Sequence, residues 1–183
     1  MKKRIAAGII MLISFAGAIF ASRALCVHMR RKGELREAQD NLSRIVESEG
    51  LGGVTLTIHY ASLTMDTPWA WDVEKLIKHS SKVSIEGDEL KRHMDVLREL
   101  CDANLTPAWK KSYLNARIYY VFEAAGTGKI FDVAMNSGDS NIFANGIEIK
   151  GDDVFYAVLR TFLPEDLEAV FKEFKNRLRK RHI

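Results

Sequence analysis

Residues 5–21 (IAAGIIMLISFAGAIFA) form a run of seventeen residues without a charge, and this run constrains the chain more than any other feature. Such a stretch belongs in a bilayer or in a signal that is removed. As a helix rising 1.5 Å per residue it spans roughly 26 Å, close to the ~30 Å hydrocarbon core. Lys2, Lys3 and Arg4 precede it as a charged n-region precedes an apolar h-region. Two fates follow, an uncleaved anchor or a cleaved signal. Ser22-Arg23-Ala24 places small residues where a signal peptidase needs them, but Arg23 lies between them. Leu25, where a small residue would be needed before Cys26, breaks the lipoprotein pattern. We therefore expect a single-pass anchor, with secretion after cleavage as the alternative. Orientation is contested. Lys2, Lys3 and Arg4 favour an inner amino end, whereas Arg23, Arg30, Arg31, Lys32 and Arg36 favour an inner domain. The expectation is an extracytoplasmic domain; the alternative is one facing the cytoplasm.

Charge is unevenly distributed. Residues 1–36 carry eight Lys/Arg against Glu34, a net +7, while the remainder of the chain is −4. The last four cations are Arg177, Arg179, Lys180 and Arg181, so residues 37–176 alone are −8. An acidic domain between basic ends is not the spread basic face that nucleic acid requires, and no nucleic-acid partner is expected. Cys26 and Cys101 are the only cysteines, too few for a disulfide framework and without zinc-ligand spacing.

Beyond the apolar run the pattern is that of an α+β fold: an N-terminal transmembrane helix, then a small domain with an antiparallel meander sheet and helices packed on one face. Residues 34–49 read as a helix, with Leu35, Ala38, Leu42 and Ile45 at three- and four-residue steps. That helix is either a stalk or a short dimerising zipper, and Gly50, Gly52 and Gly53 end it. Val54, Leu56, Ile58 and Tyr60 alternate with Thr55, Thr57 and His59, a strand with one buried face. Residues 61–70 read as a loop, Asp72 as the cap of a short helix, residues 82–85 as a strand, and residues 88–101 as one long helix. RIYYVFEA (117–124) is apolar on both faces, as a central strand is, and leads through Gly126-Thr127-Gly128 to KIFDVAM (129–135). A turn at Ser137-Gly138-Asp139 precedes residues 141–144, and Asn145-Gly146 is a type I′ hairpin signal before residues 147–150. Two helices follow, one from Asp152 or Asp153 and one from Pro164. The expected divisions are residues 1–32, an anchor or signal segment with basic flanks; residues 33–50, a juxtamembrane amphipathic helix; and residues 51–183, a soluble α+β domain.

No motif here specifies a reaction. Gly126-Thr127-Gly128-Lys129 ends like a phosphate loop, but Glu123 and Ile130 stand where the pattern requires Gly and Ser or Thr, and a strand follows instead of a helix. It reads as a hairpin turn. Asp132, Asn136, Asp139 and Asn141 lack calcium-loop spacing, and Asx residues are ordinary turn material. No pair among His28, His59, His79, His93 and His182 has metal-ligand spacing. No cofactor, metal or catalytic residue is therefore assigned. The candidate binding residues are Trp69, Trp71 and His59: the tryptophans either anchor a partner or cover a satellite core, and His59 lies on the polar face of its strand. The basic end, residues 176–182, either touches anionic headgroups or complements a helix terminus.

The stretch ARIYYVFEAAGTGKIFDVAMNSGDSNIFANGIEIKGDDVFYAVLRTFLPED, with the 88–101 helix before it, resembles small exported or lipid-anchored bacterial domains of unassigned function, from about Leu56 onward. The resemblance implies an envelope location and supports the fold; it brings no activity, ligand or site residues. The chain departs from the lipid-anchored members in lacking a usable lipidation cysteine. The resulting expectation is a membrane-tethered binding or interaction module, held through residues 5–21 and meeting an envelope protein or another ligand. The alternatives are an enzyme whose site assembles from distant residues, and an accessory subunit of a membrane complex.

Overall fold

The computed structural model describes residues 2–48, 50–61, 69–109, 112–136, 141–151 and 153–163, without the side chains of residues 2–14 and 16. Within these residues the protein is α+β. Strands β1 (Val54–Tyr60), β2 (Ser81–Glu86), β3 (Ala116–Ala124), β4 (Gly128–Asn136), β5 (Ile142–Ala144) and β6 (Ile147–Ile149) form one sheet in the order β2-β1-β3-β4-β5-β6. Every pairing is antiparallel.

The two-residue period of β1 decides the sheet's inner face. Leu56 lies opposite Ile85 and Phe122, and Ile58 opposite Val83 and Tyr120. Across β3 the same rows continue through Phe131, Val133 and Met135 to Ile142 and Ala144. A one-residue slip would turn each of these side chains to the other face, so the apolar pattern holds the register. Asn145 and Gly146 have φ of 46° and 74°, both positive as a type I′ turn requires, and they return β5 into β6.

Among the described residues that inner face is covered mainly by α1 (Lys2–Glu47), α4 (Met94–Cys101) and α5 (Val154–Phe162). Leu35, Ala38, Leu42 and Val46 of α1 are buried in the same core as the strands. The stripe expected at Ile45 instead runs through Val46, and Ile45 is half-buried. Gln39 fixes α1 to the end of α4, its Nε2 donating to the Ala103 carbonyl at 2.7 Å. Residues 35–46 are thus a core element of the domain.

The long helix expected over residues 88–101 is broken into α3 (Gly87–Leu90), a 3-10 turn at Lys91–His93, and α4. His93 has non-helical φ and ψ of −123° and 39°. The break lets Leu90, beside the Gly50–Gly53 turn, and Leu97, beneath α5, both reach full burial. Cys101 at the end of α4 is half-buried and free, as is the exposed Cys26.

The expectation of helices on one face alone requires correction. Helix α2 (Val73–His79) lies on the opposite, outer face, where Leu76 packs with Ala116, Tyr119, Val121, Ala134 and Phe143. The reason is that β3 and β4 are central strands with apolar residues on both sides, which a single layer of helices leaves uncovered. Asp72 caps α2 as expected, its Oδ1 accepting from the Lys75 N–H at 2.8 Å.

Residues 103–109 follow α4 irregularly and extend the β6 edge: Pro107 bridges to Ile149, and the Ala108 N–H donates to the Glu148 carbonyl at 2.8 Å. Among the described residues no helix is long and apolar enough to cross a membrane. The expected transmembrane run at 5–21 has most of its side chains outside the described set; Phe15, Ile19 and Phe20 are exposed. The loop over residues 62–68, the turn at 137–140 and the helix expected from Pro164 also lie outside the described residues.

Candidate functional site

The outer sheet face is where the chain gathers buried polar groups. Thr55, Thr57 and His59 of β1 point there, flanked by Glu86, Ser84 and Lys82 of β2 and by Glu123, Val121 and Tyr119 of β3. Helix α2 covers the part nearest Tyr119 and Ala134. The rest is open.

His59 sits at the edge of that cover. It is only 9% exposed, opposite Lys82 on one side and Tyr119 on the other. Ser80, which ends α2, places its Oγ 3.4 Å from His59 Nδ1, and the Tyr119 ring centroid is 6.2 Å from that of His59. Burial holds the imidazole pKa below its ordinary 6.5, Lys82 adds to the shift, and Glu123 opposes it. The sign is that of a group kept neutral by the fold. Stability is full above pH 6.5 and falls as the pH drops from there through the lowered folded pKa, because the unfolded chain takes up the proton first. The melting temperature of His59→Gln, followed from pH 7.5 to pH 5, is therefore expected to fall less than that of the unchanged chain. Parallel curves would show that the neutral ring contributes nothing.

Asp132 is the second centre, 6% exposed in the middle of β4. It accepts from the Lys129 ammonium, three residues earlier past the irregularity where Glu123 pairs with Lys129. The Tyr119 hydroxyl donates to Asp132 Oδ2 at 3.4 Å. Asn145 locks the backbone beneath, its Oδ1 accepting from the Asp132 N–H at 2.9 Å. Burial, and after it the Asp132 charge, push the Tyr119 phenol far above its ordinary pKa, so Tyr119 remains a donor throughout the physiological range.

The tryptophans divide. Trp71 is half-buried in the satellite core under α2, with the Arg117 guanidinium 5.2 Å over its ring. Its backbone is held by Asn115 Oδ1 and by the Ala116 N–H. Trp69 is 77% exposed. Trp71 and His59 both flank the end of α2, one beside His79 and the other beside Ser80; Trp69 joins neither.

This arrangement can present donors and acceptors on a rigid sheet. At 3.4 Å the Ser80–His59 contact is longer than the ~2.6–3.2 Å typical of an activated hydroxyl. Among the described residues no three His, Cys, Asp or Glu converge as a metal site. Of the residues considered for calcium, Asp132 Oδ2 is engaged by Lys129 and Tyr119, and Asn136 Oδ1 accepts from the Asn115 N–H at 2.8 Å. Sequence reasoning missed Tyr119 and Arg117 and weighed Asp132 only as a calcium ligand. The available signal was charge inside apolar strands, Arg117 opening RIYYVFEA and Asp132 central in KIFDVAM.

No protein-family model matches the chain, and neither the curated proteins nor the solved structures contain a match.

Proposed function

We propose that the protein is a single-pass, membrane-tethered binding module whose α+β domain lies outside the cytoplasm. The observation that carries this reading is α1, one helix running from Lys2 to Glu47. Its first half contains the charge-free run and its last third is built into the domain core. A helix shared in this way fixes the domain to whatever holds residues 5–21. Phe15, Ile19 and Phe20 stand exposed at the end of that run, and water does not favour such a cluster. Ligand contact is assigned to the outer face around Thr57, Ser84 and His59.

Protease added to intact cells or spheroplasts carrying a carboxyl-terminal tag tests the reading. The tag is expected to disappear while the unproteolysed chain runs at full length and resists carbonate extraction. A protected tag would reverse the orientation, and extraction by carbonate would end the tethered reading.

A further inference from the structure

We propose that the groove where α1 leaves its apolar run binds one anionic phospholipid. The proposal rests on the tethered reading above and holds for either orientation of the domain. The groove has a volume of about 360 Å³ and lies between α1 and the 108–109 segment. On α1 it is lined by the apolar Phe20, Ala24 and Val27 and by Arg23, His28 and Arg31. Trp109 closes the far side, stacked on His28 with centroids 4.0 Å apart and planes 2° from parallel. That wall is not a free loop, since Pro107 and Ala108 are bonded to the β6 edge.

The two chemistries are ordered along the helix. Phe20 belongs both to the apolar run and to the groove, and it is 72% exposed. Measured along the axis from Ala21, Arg23 lies ~3 Å and Arg31 ~15 Å away at 1.5 Å per residue. The headgroup layer occupies roughly the first 5–8 Å beyond the hydrocarbon. Arg23 is therefore at phosphate level, and Arg31 reaches back toward it on a long flexible stem. Trp109, exposed beside them, is a residue type enriched at membrane–water interfaces.

Charge selects the occupant. Arg30, which does not line the groove, is paired with Glu34 at 2.8 Å. Arg23 and Arg31 have no acidic partner within 4.0 Å among the described residues. Two guanidiniums beside the apolar Phe20, Ala24 and Val27 fit a headgroup phosphate whose first methylenes lie against Phe20 and Ala24. Free phosphate leaves those apolar side chains uncovered, and a choline headgroup brings a cation against two arginines.

The full chain in detergent, titrated with phosphatidylglycerol and separately with phosphatidylcholine, gives bound lipid by native mass spectrometry. We expect one phosphatidylglycerol per chain, held about tenfold or more tighter than phosphatidylcholine. The Arg23→Gln/Arg31→Gln variant is expected to lose this preference and Arg30→Gln to keep it. If the double variant melts early, Arg23→Gln alone, at an exposed position, must weaken the preference. Equal retention of the two lipids overturns the proposal, as does an equal loss in Arg30→Gln, which would mean diffuse charge and no site. Co-flotation with phosphatidylcholine vesicles separates the two readings. A chain that fails to float overturns the tether itself, whereas one that floats without lipid preference overturns the groove alone.

Discussion

Alanine at position 87 is expected to destabilise the domain by about 3 kcal/mol or more, at the upper end of what overpacking produces. Gly87 is buried at the start of α3, where a Cβ would lie 1.7 Å from the Leu51 carbonyl oxygen, 2.5 Å from its carbon and 2.9 Å from Gly52 Cα. All three are backbone atoms, so no side chain can rotate away. Neither can the turn retreat cheaply. Leu51 is fully buried in the core, and the Gly53 carbonyl accepts from the Ala125 N–H at 3.0 Å, tying the Gly50–Gly53 turn to the end of β3. On the other side Glu86, the preceding residue, is paired with Thr55 in the sheet. The added methyl must therefore part the β1–β2 ladder or lift α3, and interiors packed at crystal density yield to neither without loss. A fall in melting temperature on the order of 10 °C corresponds to that cost for a domain of this size. Gly53→Ala is the matched control, since nothing lies within 4 Å of the position its Cβ would take. If Gly87→Ala and Gly53→Ala melt together, the close approach at Leu51 does not exist in solution.

That contact shows where a sequence stops being readable. Gly87 reads as the end of a strand, because a glycine after alternating residues is ordinary punctuation. The reason it must be glycine is a backbone thirty-six residues earlier, which no local pattern records. The strands themselves were legible. The alternation in β1, the two-sided apolar run of β3 and the Asn145-Gly146 turn each express a local rule, and all three are observed. The single helix over residues 88–101 failed because periodicity cannot register a change of direction. Leu90 and Leu97 fit one helical stripe on paper, but they serve different neighbours once His93 leaves the helical region.

The candidate site was legible only at its rim. His59 was found because it falls on the polar face of an alternating strand. Its companions Tyr119 and Asp132 sit in strands that read as core, and the register of β3 against β1 and β4 is what brings them together. Tyr119 faces outward while Tyr120, its neighbour, is fully buried on the inner face; the pair YY carries no mark of which is which. Trp71 and Trp69, two residues apart, are equivalent by composition. Their difference arises from α2, whose cap at Asp72 turns the chain so that Trp71 enters the satellite core and Trp69 does not.

Leu42→Ala in the full chain is expected to cost about 3 kcal/mol, the middle of the range for emptying a leucine-sized space in a core. The position matters because it lies on α1, in a stretch that by sequence reads as a stalk or a zipper and that the structure builds into the domain. Leu35 and Leu42 are both 0% exposed, and with Ala38 and Val46 they line one stripe against the sheet and α4. A stalk leucine would be half solvated, and its replacement would change stability by a few tenths of a kcal/mol, the helix-propensity difference alone. A zipper leucine would make stability depend on protein concentration. The core placement predicts a large loss independent of concentration, and Gln39→Ala should add a smaller one by releasing the Ala103 carbonyl. Urea unfolding at two protein concentrations tenfold apart distinguishes the three. The same packing predicts that a chain starting at residue 33 keeps the fold and one starting at residue 51 loses it, because the second exposes the inner face under α1. A folded chain from residue 51, or a Leu42→Ala midpoint that moves with concentration, would return the helix to a role outside the domain. The anchor would then be joined to the domain by a flexible connection instead of a shared core.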